Sequence, residues 1–226
     1  MHHLICFTAG RTFVRYFGAY AAFSGCIDTR PRPEQEAWFS GRIVYSYSYS
    51  SSELDADSLA LERWSSGQMI FHGPDYMSRY VGLDTSTYFY SGPTGRCAAY
   101  EPGKQPYCED YRAPTDSIAS ISIKPASELV LGRTCDLVEL KGRWSDTRYW
   151  VSRELRMDPA SYALHHAYNW KAYADASKGG IILKVEHRFS RYTMHGTATL
   201  IEPIAPSSEF VELRARSEAL CEARRP

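Results

Sequence analysis

The sequence has no excess of charge of either sign, because 26 lysines and arginines balance 26 aspartates and glutamates over 226 residues. Without a net field, the chain does not attract nucleic acid or an anionic membrane through its overall charge. We therefore expect no nucleic acid among its partners. The apolar run at residues 16–23 is also too short for a transmembrane helix.

The sequence lacks the short motifs that mark common enzymes and metal sites. It contains no C-x-x-C pair, H-E-x-x-H motif, G-x-S-x-G elbow, P-loop or dinucleotide fingerprint. Cys135 lies close to Asp136 and Glu139, and acids raise a thiol pKa, so we expect a buried, inert cysteine and not a nucleophile. We assign no catalytic residue, no cofactor and no metal ligand.

The sequence contains seven histidines, which are potential metal ligands. His165 and His166 are adjacent, and on a helix they would point about 100° apart. His187 and His195 lie on neighbouring predicted strands and could meet across a hairpin. Because no metal-binding spacing accompanies them, a hydrolase or metal-binding enzyme is the weakest of three functional hypotheses.

The first 25 residues resemble an export signal. They contain two arginines and no acid, followed by the apolar run at residues 16–23. This order is typical of a secretory signal peptide. Ser24-Gly25-Cys26 further resembles a bacterial lipobox, which predicts lipidation of Cys26. The alternative is an ordinary N-terminal tail or a wrongly assigned start codon.

Residues 26–39 are interpreted as a linker, and residues 40–214 as one folded domain. Within the domain, residues 41–50 form the clearest predicted strand, GRIVYSYSYS. Strict alternation over two residues indicates a sheet with one buried face and one wetter face. The buried face of this strand would carry Ile43, Tyr45, Tyr47 and Tyr49.

Residues 134–140 and 147–155 alternate in the same way around a turn at residues 141–146, which predicts a β-hairpin. Its charged side chains are interpreted as cross-strand pairs on a solvated face. These are Asp136, Glu139, Arg148, Arg153 and Glu154.

Residues 158–177 predict the most distinct helix, because Asp158 can cap it and Pro159 suits its first position. Gly179 and Gly180 would end it. Three further strands are expected at residues 180–189, 192–203 and 210–214. Residues 215–226 are interpreted as a polar C-terminal tail, for which one or two turns of helix are the alternative.

Cys97 and Cys108 flank a turn that contains proline and glycine, between two extended stretches. In an oxidising compartment this arrangement favours a disulfide that clamps the loop. The alternative is two unrelated thiols.

Three segments resemble those of GLPGLI-type exported bacterial proteins, which are similar to the LolA/LolB-like superfamily. They are GRIVYSYSY (41–49), LVLGRTCDLVEL with RYWVSREL (129–140 and 148–155), and KGGIILKVE (178–186). The resemblance implies an α+β, mainly β fold. Its antiparallel sheet would be strongly curved into a half-barrel, with one or two helices packed in the concave mouth.

The resemblance also implies that the concave face accepts a hydrophobic ligand, such as a lipid or a lipoprotein acyl chain. The candidate ligand-binding residues are Tyr45, Tyr47, Tyr49, Phe71, Phe89 and Trp150. The alternative is that these side chains fill the core, which is the commoner position of aromatic residues.

The first functional hypothesis is a non-enzymatic cell-envelope protein that binds a hydrophobic ligand. It would be exported to the periplasm or outer membrane of a Gram-negative bacterium and associate with the membrane through a lipid anchor. The second hypothesis is a structural or interaction module of the envelope, with a filled core and no ligand.

Overall fold

The computed structural model of this protein describes residues 38–223. The candidate signal peptide, Cys26 and most of the predicted linker lie outside the described residues. The strands are β1 (Gly41–Ser50), β2 (Ser66–His72), β3 (Asp75–Val81), β4 (Thr85–Ser91), β5 (Arg96–Tyr100), β6 (Tyr107–Asp110), β7 (Ile118–Val130), β8 (Arg133–Gly142), β9 (Asp146–Arg156), β10 (Gly180–Arg188) and β11 (Thr193–Pro203). The helices are α1 (Ala56–Glu62), α2 (Trp170–Ser177) and α3 (Ser208–Glu222).

All eleven strands form one antiparallel sheet in the order β6-β5-β4-β3-β2-β1-β11-β10-β9-β8-β7. Two meanders, β1 to β6 and β7 to β11, therefore meet where β1 pairs with β11. Within the described residues, β6 and β7 are the two edges and do not pair with each other, so the sheet is not closed. The prediction of an α+β, mainly β fold built on an antiparallel sheet is confirmed.

The two faces of the sheet have different side chains. In β1, Tyr45 and Tyr49 are buried while Ser46 and Ser48 are exposed, as the alternation predicts. We call the face that carries Tyr45 the tyrosine face. The face that carries Ser46 is the opposite face.

Helices cover both faces of the sheet. Helix α2 lies on the tyrosine face, where the ring of Tyr173 packs 5.1 Å from that of Tyr149. Helix α3 lies on the opposite face, where the ring of Phe210 packs 5.3 Å from that of Phe89. Among residues 38–223, no helix has both the length and the apolar character needed to cross a membrane.

The prediction of a helix at residues 158–177 is only partly correct. Asp158 accepts a hydrogen bond from the Ala160 N–H, as expected of a cap, but it begins a short 3₁₀ turn. Tyr168 and Asn169 then take positive φ values of 53° and 61°, which a continuous helix cannot contain. Regular helix is therefore confined to α2, and it ends before Gly179, as predicted.

The C-terminal prediction was wrong, because residues 210–214 belong to helix α3 and not to a strand. The Ser207 side chain caps this helix by accepting the Phe210 N–H at 3.2 Å. The helix also includes most of the predicted polar tail. Its buried positions recur at helical spacing, a period that a five-residue window cannot show: Phe210, Leu213, Ser217 and Cys221.

The predicted Cys97–Cys108 disulfide was also wrong, because Cys108 is bonded to Cys221. In the β5–β6 register Cys108 lies opposite Ala98, so Cys97 and Cys108 point to different faces. Cys97 is a buried free thiol on the tyrosine face, while Cys108 meets α3. The disulfide therefore joins an edge strand to the C-terminal helix.

The hairpin predicted from residues 134–155 is confirmed as β8 and β9. Its register places Leu137 opposite Trp150 and Glu139 opposite Arg148. The expected charge pairs are present, but not on one face, because Asp136 and Glu139 point to different faces of β8. Arg148 Nε lies 3.0 Å from a Glu139 carboxylate oxygen. The remaining predicted partners pair as Arg153 with Asp136 at 2.7 Å and Glu154 with Arg133 at 2.5 Å.

Candidate functional site

A cluster of aromatic rings fills the space between the tyrosine face and α2, with His165 at its centre. The imidazole stacks 4.9 Å from the Trp170 ring and lies 4.4 Å from the Tyr90 ring. The Tyr76 hydroxyl and His165 Nε2 are joined by a hydrogen bond of 2.8 Å. These rings are packed against one another, so the cluster is core and not an open cavity.

Burial lowers the pKa of His165 from 6.5 to about 3. The imidazole is therefore neutral at physiological pH. His165 is completely buried. A fully buried imidazole cannot contact a substrate, so we assign His165 a packing role.

Four of the predicted ligand-binding residues lie on the tyrosine face: Tyr45, Tyr47, Tyr49 and Phe71. Tyr45 and Phe71 belong to the main buried core, and the Tyr45 hydroxyl donates to the Ile182 carbonyl at 2.7 Å. The Tyr49 hydroxyl donates to the Trp64 carbonyl at 2.9 Å. Both hydroxyls are thus used within the protein.

The other two predicted residues lie on the opposite face. Phe89 packs beneath α3, and Trp150 lies beneath Lys184, whose ammonium group is 4.4 Å from the ring centroid. Lys184 also pairs with both carboxylate oxygens of Glu128, at 2.8 and 2.9 Å. The six residues do not form one surface, and ligand contact by any one of them stays a prediction.

A groove of about 600 Å³ opens between α2 and the edge strand β7. We call it the α2–β7 groove. Its apolar lining consists of Pro114, Ile118, Ile121, Ala172 and Ala176. Its polar lining consists of Asp116, His166, Asn169, Lys171 and Asp175.

The two walls of the groove have simple sequence causes. Ala172 and Ala176 are four residues apart on α2, so both point to the same side, and their small side chains leave space. On β7, Ile121 lies opposite the buried Leu140 of β8. Ile121 nevertheless remains 43% exposed, because no further strand or helix covers it in the described residues.

Asp116 fixes one end of the groove. Burial alone would raise its pKa, but hydrogen bonds from the N–H groups of Trp144, Arg143 and Ser117 outweigh burial and lower the pKa. The carboxylate is therefore charged and holds the β8–β9 turn. At the other wall, Lys171 and Asp175 pair with each other at 2.5 Å along α2.

The described residues hold no group of three or more His, Cys, Asp or Glu side chains placed to bind one metal ion. His187 lies opposite Met194, and His195 lies opposite Glu186, so the two histidines point to different faces. The possibility that they meet across the hairpin is therefore wrong.

The two free thiols in this part of the chain are buried. Burial raises the pKa of Cys135 to about 11 and that of Cys97 to about 12, so both are protonated at neutral pH. The expectation of a buried Cys135 is confirmed. A protonated, inaccessible thiol is a poor nucleophile.

Sequence reasoning missed the α2–β7 groove. Its signals were the alternating isoleucines of residues 117–125 and the alanines of residues 158–177, but neither segment shows by itself that the other lies beside it. No family model matches the chain, and no curated protein matches it.

Proposed function

We propose that this protein binds a hydrophobic ligand, an acyl chain of a lipid or lipoprotein, in the α2–β7 groove and performs no chemistry on it. The observation that carries the proposal is a groove of about 600 Å³ whose inner surface is apolar. Ligand pockets of roughly 300–1,000 Å³ with a few polar groups are typical of small-molecule sites.

The arrangement of polar groups supports an amphipathic ligand. Lys171 and Asp175 are charged, yet they satisfy each other along α2. Asp116 is occupied by the backbone N–H groups of the neighbouring turn. An acyl chain can thus lie against Ile118, Ile121 and the α2 alanines without stranding an unpaired charge beneath it.

We extend the proposal to the finer architecture. An open antiparallel sheet of more than about ten strands rarely stays flat, because strand twist makes it curl. With α2 lying on the tyrosine face, such curling would give the half-barrel of the LolA/LolB-like superfamily, with this helix in its mouth. The proposed location is the cell envelope, and the proposed membrane attachment is a lipid on Cys26.

A filled aromatic core favours a second candidate, an envelope interaction module without a ligand. Tyr76 and Phe71 are buried, and Trp170 packs 5.0 Å from the Tyr76 ring. In this candidate the α2–β7 groove is only a surface depression. The two candidates differ in whether the purified protein retains lipid.

A variant in which a large side chain fills the groove distinguishes the two candidate functions. The full chain is purified and titrated with a fluorescent fatty acid, and co-purified lipid is identified by mass spectrometry. Ala172→Trp places a large ring in the groove and should weaken fatty-acid binding at least about tenfold. Ala219→Trp, at an exposed alanine of α3, is the matched control and should bind as the wild type does.

The binding hypothesis is abandoned if the wild-type protein retains no lipid and shows no saturable fatty-acid binding. It is also abandoned if Ala172→Trp and the wild type bind equally. Thermal unfolding of each variant establishes that the folded protein is being compared. Ala176→Trp provides a second plug, one helical turn along α2.

A further inference from the structure

Strand β7 is a long edge with no strand beyond it. It spans 13 residues, and positions 119–127 are all exposed. Within the described residues it pairs with β8 alone. An edge strand turns every second N–H and C=O group outward, where another extended chain can bind them.

The regularly paired part of this edge is Ser120–Lys124, opposite Leu137–Lys141 of β8. Ile121 and Ile123 lie beside the buried Leu140 and Val138, yet they are 43% and 46% exposed. The apolar surface of the tyrosine face therefore continues to the edge and is left uncovered there.

Charged residues and prolines usually keep an edge strand from pairing with another chain, and both are weak obstacles in this segment. Its one charge, Lys124, is neutralised by Glu139 of the same chain at 2.8 Å. Pro125 follows the segment and does not interrupt it. The other edge, β6, is only four residues long and ends in Glu109 and Asp110.

We propose that a second copy of this chain pairs with β7, antiparallel and centred on Ser122. In this register Ile121 lies opposite Ile123 of the second copy, and Ser122 lies opposite its equivalent. Lys124 lies opposite Ser120 of the second copy, so no like charges meet. The segment is thus complementary to itself, which is what a two-fold interface requires.

Ile121 belongs both to the α2–β7 groove and to the proposed pairing, but Ile123 lies outside the groove and the pairing needs no bound ligand, so the inference does not depend on the proposed function. The second copy is favoured over an unrelated strand by this self-complementarity. Antiparallel pairing about Ser122 keeps the Lys124 side chains of the two copies apart, whereas parallel in-register pairing would place them side by side.

A cysteine at the two-fold centre tests the register. Ser122→Cys in the full chain should form a covalent dimer under mild oxidation, because directly opposed Cβ atoms are about 5 Å apart. Ser120→Cys alone should not, because its equivalents lie about 14 Å apart along the strands. An equal mixture of Ser120→Cys and Lys124→Cys chains should form a covalent dimer, because these two positions lie opposite each other in the proposed register. Wild-type chain oxidised in parallel gives the background from its own thiols.

Oligomeric state is measured by light scattering over roughly 1–500 µM, a range suited to a modest two-strand interface. Ile123→Lys should weaken dimerisation at least about tenfold. Leu129→Lys, on the same strand but beyond the Lys124/Glu128 irregularity and 68% exposed, should leave it unchanged. A wild-type chain that stays monomeric overturns the proposal, as does an Ile123→Lys dimer as strong as the wild type. Equal cross-linking through Ser120→Cys and Ser122→Cys overturns the register.

Discussion

Cys108 and Cys221, 113 positions apart, are joined by a disulfide that ties the edge strand β6 to helix α3. Closing a loop of this length removes many conformations from the unfolded chain. We expect Cys221→Ser to lower the free energy of unfolding by about 2–4 kcal/mol. Urea denaturation under oxidising conditions measures the loss.

Reductant provides the control for this prediction. Dithiothreitol should bring the wild-type protein down to the stability of Cys221→Ser and leave that variant unchanged. If reductant destabilises both proteins equally, the Cys108–Cys221 bond is not the source. Peptide mapping without reduction should recover Cys108 linked to Cys221 and Cys97 unlinked.

Asp75 and Arg214 form a second link between the sheet and α3. The Asp75 side chain is 2% exposed, accepts the Gly92 N–H at 3.0 Å and pairs with the Arg214 guanidinium. Arg214→Met leaves a buried carboxylate without its cation, and we expect a loss of about 3 kcal/mol. Chemical denaturation at neutral pH measures the change.

Asp75→Asn is the matched comparison. The amide oxygen can still accept the Gly92 N–H, and Arg214 is exposed enough to be hydrated. We expect Asp75→Asn to cost only about 1 kcal/mol. A larger loss for Asp75→Asn than for Arg214→Met would contradict the account of a buried, compensated carboxylate.

His165 should make stability depend on pH. Its pKa is about 3 in the folded protein against an ordinary 6.5, so the unfolded chain binds the proton more readily. Stability is therefore complete above pH 6.5 and falls as the pH decreases toward 3. At pH 5 the loss from this residue is about 2 kcal/mol.

His165→Gln separates this effect from the titration of carboxylates. Glutamine keeps a hydrogen-bonding amide near the Tyr76 hydroxyl but does not titrate. Unfolding free energies are compared at pH 7 and pH 5 for both proteins, and the wild type should lose about 2 kcal/mol more than the variant. An equal loss in both proteins would show that His165 titrates normally.

Cys26 should carry a lipid if residues 1–25 are a lipoprotein signal. Cells that express the chain are labelled with radioactive palmitate, and the wild-type protein should incorporate it. Cys26→Ala should not, because no acceptor thiol remains at the lipobox position. Equal labelling of both proteins would remove the lipid anchor from the proposal.

Several elements follow from local pattern alone. The alternation in β1 and the hairpin of β8 and β9 were predictable because a period of two residues belongs to an extended chain whatever surrounds it. Helix α3 was not, because its helical period becomes visible only when residues 210–214 are taken together with the buried positions that follow them. The break at Tyr168 and Asn169 was missed because left-handed backbone there depends on the packing beneath α2.

The candidate site was less predictable than the sheet. Tyr45 and Phe71 were expected near a ligand, but their neighbours in space make them core. Ile121 and Ala172 line the groove although 50 residues separate them, and no local signal connects them. Likewise, the pairing of Cys108 with Cys221 depends on which face each strand position occupies.

By itself, the sequence determined β1, the β8–β9 hairpin, β10 and β11, the two faces of these strands and the antiparallel class of fold, because these depend on the spacing of neighbouring residues. The tertiary structure decided which strands became edges, which aromatic residues were enclosed and where space remained. The α2–β7 groove, the buried His165 and the uncovered edge of β7 arise from contacts between segments far apart in the chain. Such contacts depend on the packing of the whole domain and produce no recognisable spacing of residues in any one segment.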